Sequence, residues 1–278
     1  MELLEAIRRR RTTNTPMKVT PLSHEHKRLL IEAAARVPSH FNSQPWRFVV
    51  VEDRRQIAHI AQIAGEAMRQ LMEEGQFVAR YRRYFRFSRE ESLHTGNGIY
   101  IDNVPSVLRP MVQLIFSEQV GSLLGKLGVA AILGNDQRRI VERSGMLLAI
   151  TLDRQEYRPA ELSGLYASIT LGAVIQTLWL VTTALDIGMQ FISTPLEIPH
   201  FKARLVELLG IPPEYELVAI FRMGYRDPNA SRNTIDWTSS QRKPFTELVH
   251  YERWGGALPP AFAQAPSLLW ADQPELLP

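Results

Sequence analysis

Residues 162–185 run for 24 positions without one charged side chain, and no other stretch restricts the possible folds of this chain so strongly. At 1.5 Å per residue it makes a helix about 36 Å long, enough to span a bilayer. Its composition argues otherwise. Glu161 leads in, Asp186 follows, no basic flank is present, and Ser163, Ser168, Thr170, Gln176, Thr177, Thr182 and Thr183 interrupt the apolar run. A helix apolar on every face is the mark of one surrounded by protein, so a buried core helix is expected and no membrane partner. One chain has difficulty covering all its sides. The uncovered stripe is expected to meet a symmetry mate in a twofold homodimer.

The remaining pattern reads as α+β. Helical spacing covers 2–10, 24–37, 53–74, 107–127 and 201–209, and β-branched runs predict strands over 47–52, 146–153 and 217–223. Too few strands appear for a doubly wound sheet, and there is no GxGxxG or P-loop. A mixed, mostly antiparallel sheet flanked by helices follows. Residues 75–105 read as irregular, with Gly96-Asn97-Gly98 as a turn, and 255–278 as an extended tail.

Charge and cysteine usage narrow the chemistry. The net charge is only +3, which gives little reason to expect nucleic acid as a partner. With no cysteine there is no disulfide framework, thiolate metal site or cysteine nucleophile. No long apolar run opens the chain, so a cytoplasmic protein without a secretory leader is expected. His24, His26, His94, His200 and His250 lack metal-binding spacing, and no metal is expected.

Two segments carry candidate binding chemistry. In Pro38-Ser39-His40-Phe41-Asn42-Ser43-Gln44-Pro45-Trp46 an apolar helix pattern meets a proline, then a polar turn, then a strand. Prolines pin a backbone that presents Ser39, His40, Asn42 and Gln44, short donors and acceptors suited to the edge of a flat heteroaromatic ring or, equally, to capping the turn. Trp46 is expected in the core. Arg8 to Arg11 either solubilise a helix end or grip a phosphate, since guanidinium pairs bidentately with phosphate oxygens.

These segments, with others in the same order, resemble the FMN-dependent nitroreductase family. Pro38 to Phe48 is similar to its PS-x-x-N-x-QPW-x-F segment, and Ile7 to Asn14 to its I-R-x-R-R-S-x-R opening. Residues 171–189 resemble its central helix and exit. Leu209-Gly210-Ile211-Pro212 with Gly224-Tyr225, and Arg242-Lys243-Pro244, resemble its closing elements. The resemblance covers roughly 1–60 and 145–250. It implies one FMN-binding domain over 1–254, with 65–140 as an insert that can act as a lid, and a central helix at a dimer interface.

The resemblance also implies roles. Arg10, Arg11 and Thr12 would hold the FMN phosphate and ribityl chain, with Arg242 as a second cation. Pro38, Ser39, His40, Asn42 and Gln44 would approach the isoalloxazine ring, in a dimer from the neighbouring subunit. The backbone at Ile192 and Ser193 would meet flavin N5. Asn14 would lie at the pyrimidine edge, where the family usually places Lys or Arg, so its charge is missing or supplied from elsewhere. The flavin would carry the chemistry and no side chain need be catalytic. The activity implied is ping-pong: hydride from NAD(P)H to FMN, then two electrons to a nitroaromatic, quinone or similar small planar acceptor. A flavin destructase, reductive dehalogenase, small-substrate dehydrogenase or oxidase, or a non-catalytic flavin-binding protein would keep the same residues. The segment Arg80-Tyr81-Arg82-Arg83-Tyr84-Phe85-Arg86-Phe87-Ser88-Arg89 interleaves cations with aromatics. It reads as a lid over the ring rather than a single-strand nucleic-acid surface.

Overall fold

The computed structural model describes residues 1–110, 128–239 and 241–264. The chain begins with helices α1 (Leu3–Arg9) and α2 (His24–Ala35), strand β1 (Trp46–Val51), and helices α3 (Arg54–Glu73) and α4 (Gln76–Tyr81). Strand β2 (Phe85–Arg86), helix α5 (Arg89–Thr95), strand β3 (Ile99–Asn103) and helix α6 (Val129–Glu142) follow. Then come β4 (Met146–Asp153), α7 (Leu162–Ala184), β5 (Ile187–Phe191), α8 (Pro199–Leu208), β6 (Tyr215–Tyr225), β7 (Asp236–Thr238) and a short helix α9 (Pro260–Ala263).

The main sheet has the order β1-β4-β6-β5, each neighbour antiparallel. The α+β expectation holds. Side chains alternate across β4: Leu147 and Ala149 enter one core, while Met146, Leu148, Ile150 and Leu152 enter the other. A strand buried on both faces loses most of its polar positions, which is why 146–150 reads as one apolar run. On the first face lie α3, α6 and α8, through Ile57, Ile60, Leu71, Val141, Phe201 and Leu205. On the second lie α2 and α7, through Leu30, Ala34, Ala167, Val174 and Leu178. Trp46 is buried there as expected.

Helix starts follow capping chemistry. Asp53 accepts the Gln56 N–H at 2.8 Å to open α3, and Ser23 accepts the His26 N–H at 3.1 Å to open α2. Helix α6 is not among the expected elements, and Gly134-Asn135-Asp136 lie inside it. Tertiary contacts explain those residues. A Cβ on Gly65 would lie 2.7 Å from the Gly134 carbonyl oxygen, and one on Gly134 would lie 2.8 Å from that of Gly65. Two glycines thus let α3 and α6 cross backbone to backbone, and Asp136 accepts the Thr234 N–H at 2.8 Å. Gly65→Leu is therefore expected to cost roughly 1–3 kcal/mol through overpacking, visible as a lower urea midpoint.

Residues 75–105 are not irregular. They form α4, β2, α5 and β3, and β3 also pairs with β7 in a second sheet ordered β2-β3-β7. Val78, Phe85 and Ile101 make a satellite core with Met68 and Met72 of α3. Strands of two, five and three residues are too short to show a period in sequence. Most of the helix expected over 107–127, and most of the 255–278 tail, lies outside the described residues.

Helix α7 is long and apolar enough to cross a membrane by length and composition. Here Ala167, Val174 and Leu178 pack it into the core on the second face of the sheet. Three of its hydroxyls bond back onto the helix itself: Ser168 donates to the Gly164 carbonyl at 2.7 Å, Thr182 to that of Leu178 at 2.9 Å and Thr183 to that of Trp179 at 2.7 Å. The expected full burial is not reached within one chain. Leu162, Leu165, Tyr166 and Ile169 remain exposed along one stripe.

Candidate functional site

The segment after α1 is held along the edge of the main sheet. The Thr13 N–H donates to the Met189 carbonyl at 3.1 Å, and Lys18 N–H to that of Tyr225 at 3.0 Å. Gly188 permits the approach, since a Cβ there would lie 2.9 Å from Thr13 Oγ1. This anchoring fixes where Arg10, Arg11, Thr12 and Asn14 start.

Three arginines gather at this segment. Arg10 lies over the Trp179 ring at 5.5 Å, and its guanidinium donates no hydrogen bond among the described residues. Burial, then the nearby charges of Arg242 and Arg11, pull the Arg10 guanidinium below its ordinary pKa. Burial and then Arg242 do the same to Arg11. Arg11 uses Nη1 on the carbonyls of Arg8 and Arg10, both at 2.9 Å, and Arg242 uses Nη1 on those of Ser239 and Gln241. Like charges are thus held together with most of their donors free. Such a cluster is built for an anion, and its donor set suits a phosphate.

Arg242 is seated by a turn the sequence marked only as a turn. Gln241 Nε2 donates to the carbonyls of Asn97 and Gly98 at 3.1 and 2.8 Å. Gly96, at φ +59°, lies so close that a Cβ would stand 3.1 Å from Lys243 Cα. The 96–98 turn therefore holds the C-terminal cation against the N-terminal pair.

Asn14 sits in a hydrogen-bonded chain. Its Nδ2 donates to the Trp237 carbonyl at 3.1 Å, while its Oδ1 accepts from Gln190 Nε2 at 3.2 Å. Gln190 Oε1 accepts from Arg222 Nε at 2.6 Å. Arg222 is wholly buried, and burial lowers its pKa to about 9, so it remains a cation at neutral pH. Beside this segment opens a cavity of about 510 Å³ lined by Arg11, Thr12, Asn14, Asp186, Arg226 and Asp227 among others. Arg10 and Arg242 do not line it, and its two aspartates disfavour an anion there.

The 38–44 turn is strained and exposed. Phe41, Asn42 and Gln44 have φ of 47°, 56° and 45°, a left-handed conformation that non-glycine residues seldom adopt. Ser39 Oγ accepts the Gln44 N–H at 3.0 Å, and Gln44 Nε2 donates to Asn42 Oδ1 at 3.1 Å. Pro38 precedes them at the surface. The His40 ring stacks on Tyr166 of α7 at 4.1 Å and 9°, and Phe41 is 93% exposed. Ile192 is buried and donates its N–H to the Ile220 carbonyl at 2.8 Å, leaving Ser193 half-buried at the start of the next turn. From α4, Arg80 reaches that turn and donates to Glu197 at 2.8 Å. Burial and the Glu197 charge push the Tyr81 phenol up to about 12.

One chain does not bring all these residues together. Tyr166, which carries the 38–44 turn, and Trp179, which carries Arg10, are 13 positions apart on α7, about 20 Å along the axis. Trp179, Gln190 and Arg222 were missed in sequence. Only Arg222 left a legible mark there, as the single charge in the expected strand 217–223, between Phe221 and Met223.

Comparison with known proteins agrees with this architecture. The model of the nitroreductase family matches residues 7–225. NADPH:FMN oxidoreductase from Vibrio harveyi, solved with NAD+, is 16% identical with a TM-score of 0.52, covering 90% of this chain and 77% of its own. A putative nitroreductase from Desulfovibrio desulfuricans, solved with FMN, is 20% identical with a TM-score of 0.50, covering 91% and 98%. Iodotyrosine deiodinase bound to FMN and 3-iodo-L-tyrosine is 16% identical with a TM-score of 0.51, covering 83% and 93%. No curated protein sequence matches the chain.

Proposed function

The chain belongs to the nitroreductase family, and from that premise we propose that it is an FMN-dependent oxidoreductase acting as a homodimer. The observation that carries this reading is the convergence of Arg10, Arg11 and Arg242 from opposite ends of the sequence, with Arg10 left without a hydrogen-bond partner among the described residues. Bound FMN would accept hydride from NAD(P)H and pass two electrons to a nitroaromatic, quinone or similar planar acceptor, in ping-pong order.

The chain's own residues bind and orient. Arg10, Arg11 and Arg242 take the phosphate, with Thr12 on the ribityl chain beside them. Asn14 would meet the pyrimidine edge of the ring, and the backbone at Ile192 and Ser193 would lie toward its reacting end. Residues 1–254 make one FMN-holding unit in this reading. Within 65–140, α4 acts as a lid, latched by Arg80 on Glu197 next to the Ser193 turn.

The ring-side turn comes from a second copy. Residues 166 and 179 are symmetric about position 172.5, close to the middle of α7 (Leu162–Ala184). If two α7 helices cross antiparallel at that point, Tyr166 of one lies opposite Trp179 of the other. The His40–Gln44 turn of one copy is then carried to the Arg10 cluster of its mate. Gly172 stands at the crossing, with nothing within 4 Å of an added Cβ in its own chain, and the exposed Leu165 and Ile169 flank it. An isologous contact covers the stripe and completes the site in one step.

Purified protein is expected to be yellow and to release FMN rather than FAD. Continuous NAD(P)H consumption with menadione or a nitrofuran tests turnover. A single bleaching without turnover would mean a flavin-binding protein that is not an enzyme, and colourless protein that takes up no added FMN would end the reading altogether.

A further inference from the structure

We propose that Arg222, wholly buried beneath the site, is a positioning residue that fixes the amide of Asn14 as a hydrogen-bond donor toward the flavin ring edge and lends it positive charge. The inference rests on the FMN reading above and goes beyond it.

Amide orientation follows from proton inventory. Arginine only donates, so the Gln190 atom facing Arg222 Nε at 2.6 Å must be its oxygen. That leaves the Gln190 NH2 to face Asn14, where it meets Oδ1 at 3.2 Å. The Asn14 NH2 is then forced to the far side. One of its hydrogens reaches the Trp237 carbonyl at 3.1 Å, and the other is unused among the described residues. Every bond in the chain points its hydrogen away from Arg222, so each amide dipole is polarised by the same cation. The free N–H of Asn14 is where that polarisation emerges.

Arg222 also sets the backbone around Asn14. Its Nη2 donates to the carbonyls of Thr13 at 2.6 Å and Thr15 at 3.0 Å, and Nη1 to that of Ile140 at 3.0 Å. All of these acceptors are neutral. Asp236, the buried acid that acts on Arg222 through space, is itself paired with Arg232 at 2.9 Å. A fully buried guanidinium without a bonded carboxylate is costly, and its field reaches Asn14 through a low-dielectric interior. Asn14 lies four residues past Arg10, at most about 13 Å away at 3.3 Å per extended residue, so a phosphate on the arginines leaves a ring edge within reach of it. Charge that gathers at that edge on reduction meets a donor already oriented, at no reorganisation cost.

The test is the two-electron midpoint potential of bound FMN by dye equilibration, with oxidised FMN affinity measured in parallel. Gln190→Glu neutralises Arg222 and cannot donate to Asn14 Oδ1. It is expected to bind oxidised FMN but to weaken the preference for the reduced form at least tenfold, about 30 mV for two electrons. Asn14→Lys in the Gln190→Glu background restores a cation at the edge and should raise the potential again, which repair of a merely structural defect would not do. Asn14→Leu leaves the buried pair intact and should lower the potential as Gln190→Glu does. That variant keeps the proposal testable if Gln190→Glu does not fold. An unchanged potential in Gln190→Glu or in Asn14→Leu overturns the proposal while leaving FMN binding in place. Wild-type protein that binds no FMN overturns the reading beneath it and this inference together.

Discussion

Gly172→Glu is expected to give a folded monomer that holds no flavin. Within its own chain an added Cβ at 172 meets nothing within 4 Å, and replacing a mid-helix glycine gains helix propensity, up to about 1 kcal/mol. The fold therefore has no reason to fail. In a pair of α7 helices crossing near residue 172, however, each mutant carboxylate enters the apolar contact, and burying an unpaired charge costs several kcal/mol. Without the mate, the Arg10 cluster loses the turn containing His40, Asn42 and Gln44, which its own chain holds about 20 Å away along the helix. Dimerisation and flavin affinity are thus linked, and both should go together. Sedimentation velocity recorded in the flavin band, with far-ultraviolet circular dichroism as the fold control, reads both. A dimer that persists, or a folded monomer with flavin still bound, would defeat the crossing as placed.

The same helix shows what could and could not be read in sequence. Its uncharged run of 24 residues was plain, and its hydroxyls and flanks told a buried helix from a membrane span. Which side stays bare was not, because periodicity vanishes when every face is apolar. The sheet was legible where strands are long and doubly buried, as at Met146–Asp153, and illegible at β2 and β7, whose two and three residues carry no period. Helix α6 was hidden by Gly134 and Asp136, residues that serve a close helix crossing and a distant loop rather than local propensity. In the candidate site, side chains named by type were found together when the backbone itself is the frame, as for Arg10 and Arg11. Arg242 joined them only through the 96–98 turn, a contact across more than 140 positions that no local pattern encodes. Arg222 had a local mark, the one charge in the expected strand 217–223, but its meaning depends on Gln190 and Asn14, which lie far from it in the chain.

Removing the two cations furthest apart in sequence should abolish cofactor binding without harming the empty protein. Arg10→Ala with Arg242→Ala deletes two charge-assisted contacts to phosphate, each worth about 1.5–3 kcal/mol. Together that is roughly 3–6 kcal/mol, or about 10²- to 10⁴-fold in the FMN dissociation constant. The apoprotein should respond in the opposite sense. Arg10, Arg11 and Arg242 repel one another: burial first, and then these neighbouring charges, lower the pKa of the first two. Relieving that repulsion offsets the loss of the Arg10 contact with the Trp179 ring, itself about 0.5–1 kcal/mol at most for a partly exposed pair. Denaturant midpoints of FMN-free wild type and variant should therefore coincide, or the variant's should be higher. If the arginines merely brace the two chain ends, the pattern inverts: the apoprotein weakens and flavin affinity hardly changes. Fluorescence titration with FMN beside urea unfolding of the apoprotein separates the two, and full flavin occupancy in the double variant would rule out the phosphate clamp.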